Sequence, residues 1–135
     1  MTQKPKHIYL AGPMRGYRNF NFPAFDYATE KLRSEGFVVF SPAERDREAY
    51  GHEIENNPTG DESKVSNPAC TINDCMKADT AWICDYADAI ALLPGWQKSS
   101  GANAELALAR SLGLTVIELG KEYVQSEVVE LARAA

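Results

Sequence analysis

Apolar residues along this chain come in short runs that alternate with segments of helical spacing. His7-Ile8-Tyr9-Leu10-Ala11 is a β-rich run stopped by Gly12-Pro13. From Pro23 to Glu35, Phe25, Ala28 and Leu32 recur at helical spacing, with Pro23 suited to a first turn and Gly36 as the stop. Phe37-Val38-Val39-Phe40 reads as a fully buried strand closed by Ser41-Pro42. Cys70 to Tyr86 returns to helical spacing through Ile72, Met76, Ala78, Trp82 and Ile83, and Ala89 to Leu93 follows as a buried strand. Ala102 to Leu112 predicts a helix rich in alanine and leucine and ended by Gly113. Thr115 to Glu118 is the last strand, and Glu122 to Ala135 closes the chain as an amphipathic helix.

Strands alternating with helices in this order predict an α/β fold: a single-domain, doubly wound, mostly parallel sheet of about four to five strands, flavodoxin/Rossmann-like, with right-handed crossovers. Three loops, 12–16, 41–47 and 94–101, then gather on one rim at the carboxyl ends of the strands, where open α/β sheets bind ligands. Between Ala43 and Pro68 the sequence is polar, rich in Asn, Gly and Pro, and weakly periodic. The stretch 43–68 reads as one long loop, a lid or an oligomer contact, with a plain disordered insertion as the equal alternative.

Composition narrows the function classes. At 135 residues the chain, 1–135, is expected to be one domain able to bury about two-thirds of its unfolded surface without disulfides or metals. A net charge of −5 without a basic run argues against a nucleic-acid polymer as partner, though single arginines could still hold one phosphate. Cys70, Cys75 and Cys84 form no CxxC pair and have no histidine at ligand spacing, so a metal site and a disulfide framework are not expected. They read as reduced thiols. The polar start and the lack of a membrane-length apolar run predict a soluble, cytoplasmic protein with no membrane partner.

Candidate chemistry sits at two of the rim loops. Ser99-Ser100-Gly101 opens a helix, where free N–H groups and the dipole favour an anion, and Glu105 follows about one turn in. By position alone Glu105 is equally a first-turn glutamate that favours the helix dipole. Gly12-Pro13-Met14-Arg15-Gly16 puts an arginine between glycines: the glycines admit a close ligand and the guanidinium suits a phosphate. Alone, that loop is more simply a turn with a solvated arginine. It is neither a Walker A loop nor a GxGxxG fingerprint. Trp96 reads as a packing residue or as a lid over a base. His7 is most simply structural, His52 has no evident partner, and Asp85 and Asp88 read as solvated or turn-stabilising carboxylates.

Taken together, Tyr9-Leu10-Ala11-Gly12-Pro13-Met14-Arg15-Gly16, Asn21-Phe22-Pro23-Ala24-Phe25, Leu93-Pro94-Gly95-Trp96, Ser99-Ser100-Gly101-Ala102 and Glu105 resemble the nucleoside 2-deoxyribosyltransferase superfamily, most closely its small, often phage-borne members. The resemblance covers about residues 7 to 118. It implies that Glu105 is the nucleophile on the anomeric carbon, that Tyr9 positions it, and that Asp79 contacts the sugar or assists departure of the base. A carboxylate suits this task because the transition state is oxocarbenium-like. Members acting on free nucleosides carry an aspartate six residues before the glutamate, whereas nucleoside 5′-monophosphate N-glycosidases carry a phosphate-binding serine; this chain has Ser99. Arg15 resembles the phosphate-binding arginine of the same enzymes. The implied activity is cleavage of the N-glycosidic bond of a deoxynucleoside 5′-monophosphate, by hydrolysis or by transfer of the sugar. Gly12, Arg15, Gly16, Trp96, Ser99 and Gly101 are the expected substrate-binding residues. No cofactor and no metal are expected, and the partners are a small nucleotide or nucleoside and further copies of the chain in a homo-oligomer. Two other classes stay open: a non-catalytic module that sequesters a nucleotide, and a glycohydrolase acting on an NAD or ADP-ribose type of bond.

Overall fold

The computed structural model describes residues 6–65 and 71–125. Four strands, β1 (His7–Ala11), β2 (Val38–Phe40), β3 (Ala89–Leu92) and β4 (Thr115–Glu118), pair in the order β2-β1-β3-β4, every pair parallel. The helices are α1 (Phe22–Ser34), α2 (Pro42–Tyr50), α3 (Ile72–Tyr86) and α4 (Ser100–Ser111). The expected α/β parallel architecture is therefore the observed one, with four strands.

Alternation along β1 divides the core into two layers. Ile8 and Leu10, with Ala89 and Ala91 of β3, face Phe22, Phe25, Ala28 and Leu32 of α1. Tyr9 and Ala11, with Ile90 and Leu92, face Ile83 of α3 and Ala102, Leu106 and Ala109 of α4. Both central strands are thus buried on both faces, which is why they read as unbroken apolar runs. β2 differs from expectation: it lies at the sheet edge, and Val38 is 43% exposed. Of that strand Val39 is buried in the core layer beneath α1, and Phe40, partly buried, packs on the other layer beside Tyr9.

The expected long loop at 43–68 is not one loop. Its first part is α2, with Pro42 at the first helical position, followed by 3-10 turns at His52–Glu55 and Glu62–Lys64. α2 has a thin apolar stripe and is held by ions instead. Arg47 makes a bidentate contact with Asp26 of α1 at 2.8 and 2.5 Å, reaches Glu55, and lies 5.0 Å over the Phe22 ring. Arg33 pairs with both oxygens of Glu44 at 2.7 Å. Charged residues that hydropathy assigns to solvent here join helices. The expected closing helix, 122–135, falls for its greater part outside the described residues. No described helix is long and apolar enough to cross a membrane.

Candidate functional site

β1 continues into α1 and β2 on one side of itself, while β3 lies on its other side, so the chain reverses its winding direction between β1 and β3. The loops leaving these two strands diverge, and a crevice opens at their carboxyl ends. A cavity of about 300 Å³ occupies it, walled by the loops after β1 and β3, the first turns of α4, and inward-facing residues of α2 and α3. That is the lower end of the volume range of small-ligand sites.

At the cavity's inner wall Tyr9 donates its hydroxyl to Glu105 Oε2 at 2.6 Å. The partners are 96 positions apart in sequence and both are buried. Tyr9 is held by its neighbours: its ring stacks on Phe40 at 5.5 Å, and Trp82 lies 5.1 Å from Phe40. Glu105 projects from α4 on the face that also carries Ala102, Leu106 and Ala109, so the apolar stripe that docks α4 also carries the carboxylate inward.

Asp79 of α3 lies on the same wall, 5% exposed, and its Oδ1 has no hydrogen-bond partner. Burial pushes its carboxyl up to about 7; the Asp46 charge raises it further, while Arg45 and the Tyr9 hydroxyl pull it down. Glu105 is pushed up to about 8, again chiefly by burial, with Tyr9 opposing and Asp79 and Asp46 adding repulsion. The Tyr9 hydroxyl is held well above its ordinary range by burial and by the carboxyls of Glu105 and Asp79. Three buried carboxyls on one cavity cannot all ionise cheaply, so each holds its proton to higher pH than a solvated carboxyl does.

Asp46, the third of these, was hidden from sequence reasoning because its helix reads as loop. Its Oδ1 lies 3.3 Å from Arg45 Nη1 and 3.8 Å from Cys75 Sγ, and burial lifts it to about 6 against the pull of Arg45. Cys75 stands four positions before Asp79 on α3, one turn away on the same face, and both line the cavity.

The outer part of the cavity has the opposite electrical character. Arg15, Lys98, Ser99, Ser100 and the N-terminus of α4 face it. Ser99 is the N-cap of α4 and accepts the Ala102 N–H at 3.2 Å, which leaves its own hydroxyl proton to donate. Ser100, which sequence reasoning did not single out, lies 3.4 Å from Arg15 Nη2. Glu62, on the 3-10 turn after α2, lies 3.4 Å from Arg15 Nη1. From Ser99 to Glu105 the helix advances about 9 Å.

Several expected residues take other places. Gly12 and Gly101 line the cavity, but Gly12 is needed for packing: a Cβ there would lie 2.8 Å from Leu93 Cβ. Gly16 does not line it; its N–H donates to the Gly60 carbonyl at 2.9 Å and fixes the following segment against the first loop. Trp96 does not line it either. The turn at Gly95, with φ of +90°, directs the Trp96 side chain onto the apolar cluster of α3 and α4, so of its two readings packing is the one observed. The backbone N–H of His7 donates to Asp88 Oδ2 at 2.9 Å, a structural role for both residues.

Two backbone features shape the walls without any signal in hydropathy. Asn19, Phe20 and Asn21 all have positive φ, 51°, 54° and 63°. Left-handed non-glycine residues are costly and persist where their surroundings fix them. Here Asn21 donates its side-chain amide to the Pro13 carbonyl at 3.0 Å, and Phe20 is turned onto the cavity wall. Gly60, with φ of +62°, lies so close to the Tyr17 carbonyl that no Cβ fits. Asn57 completes the clamp, with its N–H on Asn19 Oδ1 at 2.9 Å and its carbonyl accepting the Asn19 N–H at 2.7 Å. The later described part of the expected loop, 56–65, is therefore a fixed wall that carries Glu62 and Val65, and 66–68 lie outside the described residues. Among the described residues no group of three or more His, Cys, Asp or Glu side chains is placed to hold one metal ion.

No curated protein and no solved structure matches the chain. One family model does, over residues 6–118, a span that begins one residue before β1 and ends with the last residue of β4. Every strand and every cavity-lining residue described above lies inside that match, and the chain belongs to the family described as a domain of unknown function (DUF4406).

Proposed function

We propose that this protein cleaves the N-glycosidic bond of a deoxynucleoside 5′-monophosphate. The observation that carries the reading is the buried Tyr9–Glu105 hydrogen bond on a cavity whose outer part is lined by cationic and hydroxyl donors. A nucleotide fits that polarity: phosphate against Arg15, Ser99, Ser100 and the α4 N-terminus, anomeric carbon against Glu105. In the first step a Glu105 oxygen bonds to C1′, the C–N bond breaks with its electrons going to the base, and Asp79 gives the base nitrogen a proton. A water oxygen then bonds to C1′, the glutamyl ester opens, and the water's proton returns to Asp79. The sum is base plus deoxyribose 5-phosphate. Tyr9 is a positioning residue. Its hydroxyl favours ionised Glu105, and the cationic character that develops on the sugar favours it further.

The raised pKa of Glu105, caused chiefly by burial, favours a second reading, a module that binds a nucleotide without cleaving it, because a protonated carboxyl is a poor nucleophile. One experiment separates them. The protein is incubated with deoxynucleoside monophosphates, the matching nucleosides and NAD, and free base is followed by chromatography beside Glu105→Ala. Base release from monophosphates alone, lost in Glu105→Ala, supports cleavage. Release from nucleosides but not monophosphates refutes the phosphate assignment, and tight binding without release in either protein refutes cleavage.

A further inference from the structure

Cationic and buried acidic side chains occupy different parts of the cavity, with the half-exposed Glu62 beside Arg15 as the exception. Every cationic side chain on its walls, Arg15 and Lys98, lies in the loops after β1 and β3. The carboxyls inward of them form a continuous row: Glu105, then Asp79 beside Tyr9, then Asp46 across Cys75. Among the described residues no Asn, Gln, His or Trp side chain lines the cavity; the neutral polar groups there are hydroxyls and the Cys75 thiol. Asp79 Oδ1 is buried, unpartnered and on the wall, a polar atom that a ligand can satisfy.

With the phosphate at the α4 N-terminus and the sugar at Glu105, the base meets Asp79 and Asp46. Asp79, the proton donor of the proposed first step, meets the base as an O–H, whereas Asp46, held beside Arg45 at 3.3 Å, is the ionised acceptor, and a base carbonyl against it sets acceptor against acceptor. An exocyclic amino group supplies the missing donor, and truncating or inverting one partner of a buried polar pair costs far more than the net worth of the bond. We propose that the site selects nucleotides whose base carries an exocyclic amino group, a 6-aminopurine or a 4-aminopyrimidine, and that Asp46 of α2 is the specificity-determining side chain. The inference rests on the nucleotide reading of the same cavity.

Matched pairs test it: dAMP against dIMP and dCMP against dUMP, with binding followed by calorimetry and base release by chromatography. In the natural protein the amino member of each pair binds about tenfold more tightly or better. Asp46→Asn, nearly isosteric and bearing a donor of its own, narrows each ratio to about threefold or less. Equal affinities within both pairs overturn the proposal, as does a ratio unchanged in Asp46→Asn. The natural protein alone decides the first of these, whatever the fold of the variant. Amino-selective binding without base release leaves the selection standing and refutes cleavage; equal release from both members does the reverse. Failure of all four to bind refutes both.

Discussion

Asp79→Asn should make the protein more stable, and more so as pH rises. Asp79 is 5% exposed with an unpartnered oxygen, and its carboxyl is raised to about 7 by burial first and the Asp46 charge second. A carboxyl raised in the folded state contributes most to stability below its ordinary value of about 3.9, and that contribution is lost as pH climbs through about 7. The gap between the two values corresponds to roughly 4 kcal/mol at full ionisation. Because Asp79 shares its repulsion with Asp46 and Glu105, the gain expected from Asn is about 2–4 kcal/mol near pH 8.5 and about 1 kcal/mol near pH 5. Removing the charge at 79 also relieves the other two carboxyls, which acts in the same direction. Urea unfolding of both proteins at the two pH values measures this directly. A gain that is the same at both, or a net loss near pH 8.5, would refute the account of Asp79 as a buried carboxyl with an unpartnered oxygen. Stabilisation with loss of base release would mark the residue as one whose charge is kept for function.

Three more outcomes follow from the same geometry. Tyr9→Phe removes the hydroxyl that lowers the Glu105 pKa, so the limb of the pH–rate profile that rises with Glu105 ionisation moves to higher pH and kcat/KM falls by roughly 10- to 100-fold; an unmoved limb sinks the pairing. Glu62→Gln takes a negative charge from beside Arg15, and since both side chains are about half exposed the affinity for a monophosphate should rise only about threefold to tenfold, less at high salt, by titration calorimetry. Weaker binding would instead make Glu62 a ligand contact. Gly60→Ala forces a Cβ into the Tyr17 carbonyl at a positive φ and should lower stability by about 2–4 kcal/mol in thermal melts, with an unchanged melt counting against the clamp.

What the chain reveals by itself depends on which forces hold each part. β1 and β3 are buried on both faces, so their apolar runs are unambiguous, whereas the pairing of Tyr9 with Glu105 was implied by the family resemblance and not by hydropathy. α2 could not be read that way. It is held by Arg47 to Asp26 and Glu55 and by Glu44 to Arg33, contacts between residues that an apolar period does not register, and Asp46 was lost with it. The one available signal was Ser41-Pro42, which closes β2 and also begins a helix. Trp96 was misplaced for a different reason: the φ of +90° at Gly95 decides where the ring goes, and a Gly in sequence does not state its angle. Ser99 and Ser100 exchange emphasis likewise, since the cap position is fixed by backbone geometry at the helix start.

The position of β1 within the strand order has a consequence for how such a protein can change over evolutionary time. Tyr9 sits on a central strand and Glu105 on a helix packed beneath it, parts that any alteration would disturb throughout the core. Asp46, Cys75, Glu62 and Val65 all belong to the single crossover between the edge strand β2 and β3, whose residues can be exchanged with only local repacking. The Tyr9–Glu105 pair and Asp46 are thus carried on separate pieces of chain, with Asp79 of the crossover between them on the cavity wall. On the proposed reading, an exchange at Asp46 alters which base is accepted while the Tyr9–Glu105 pair stays in place.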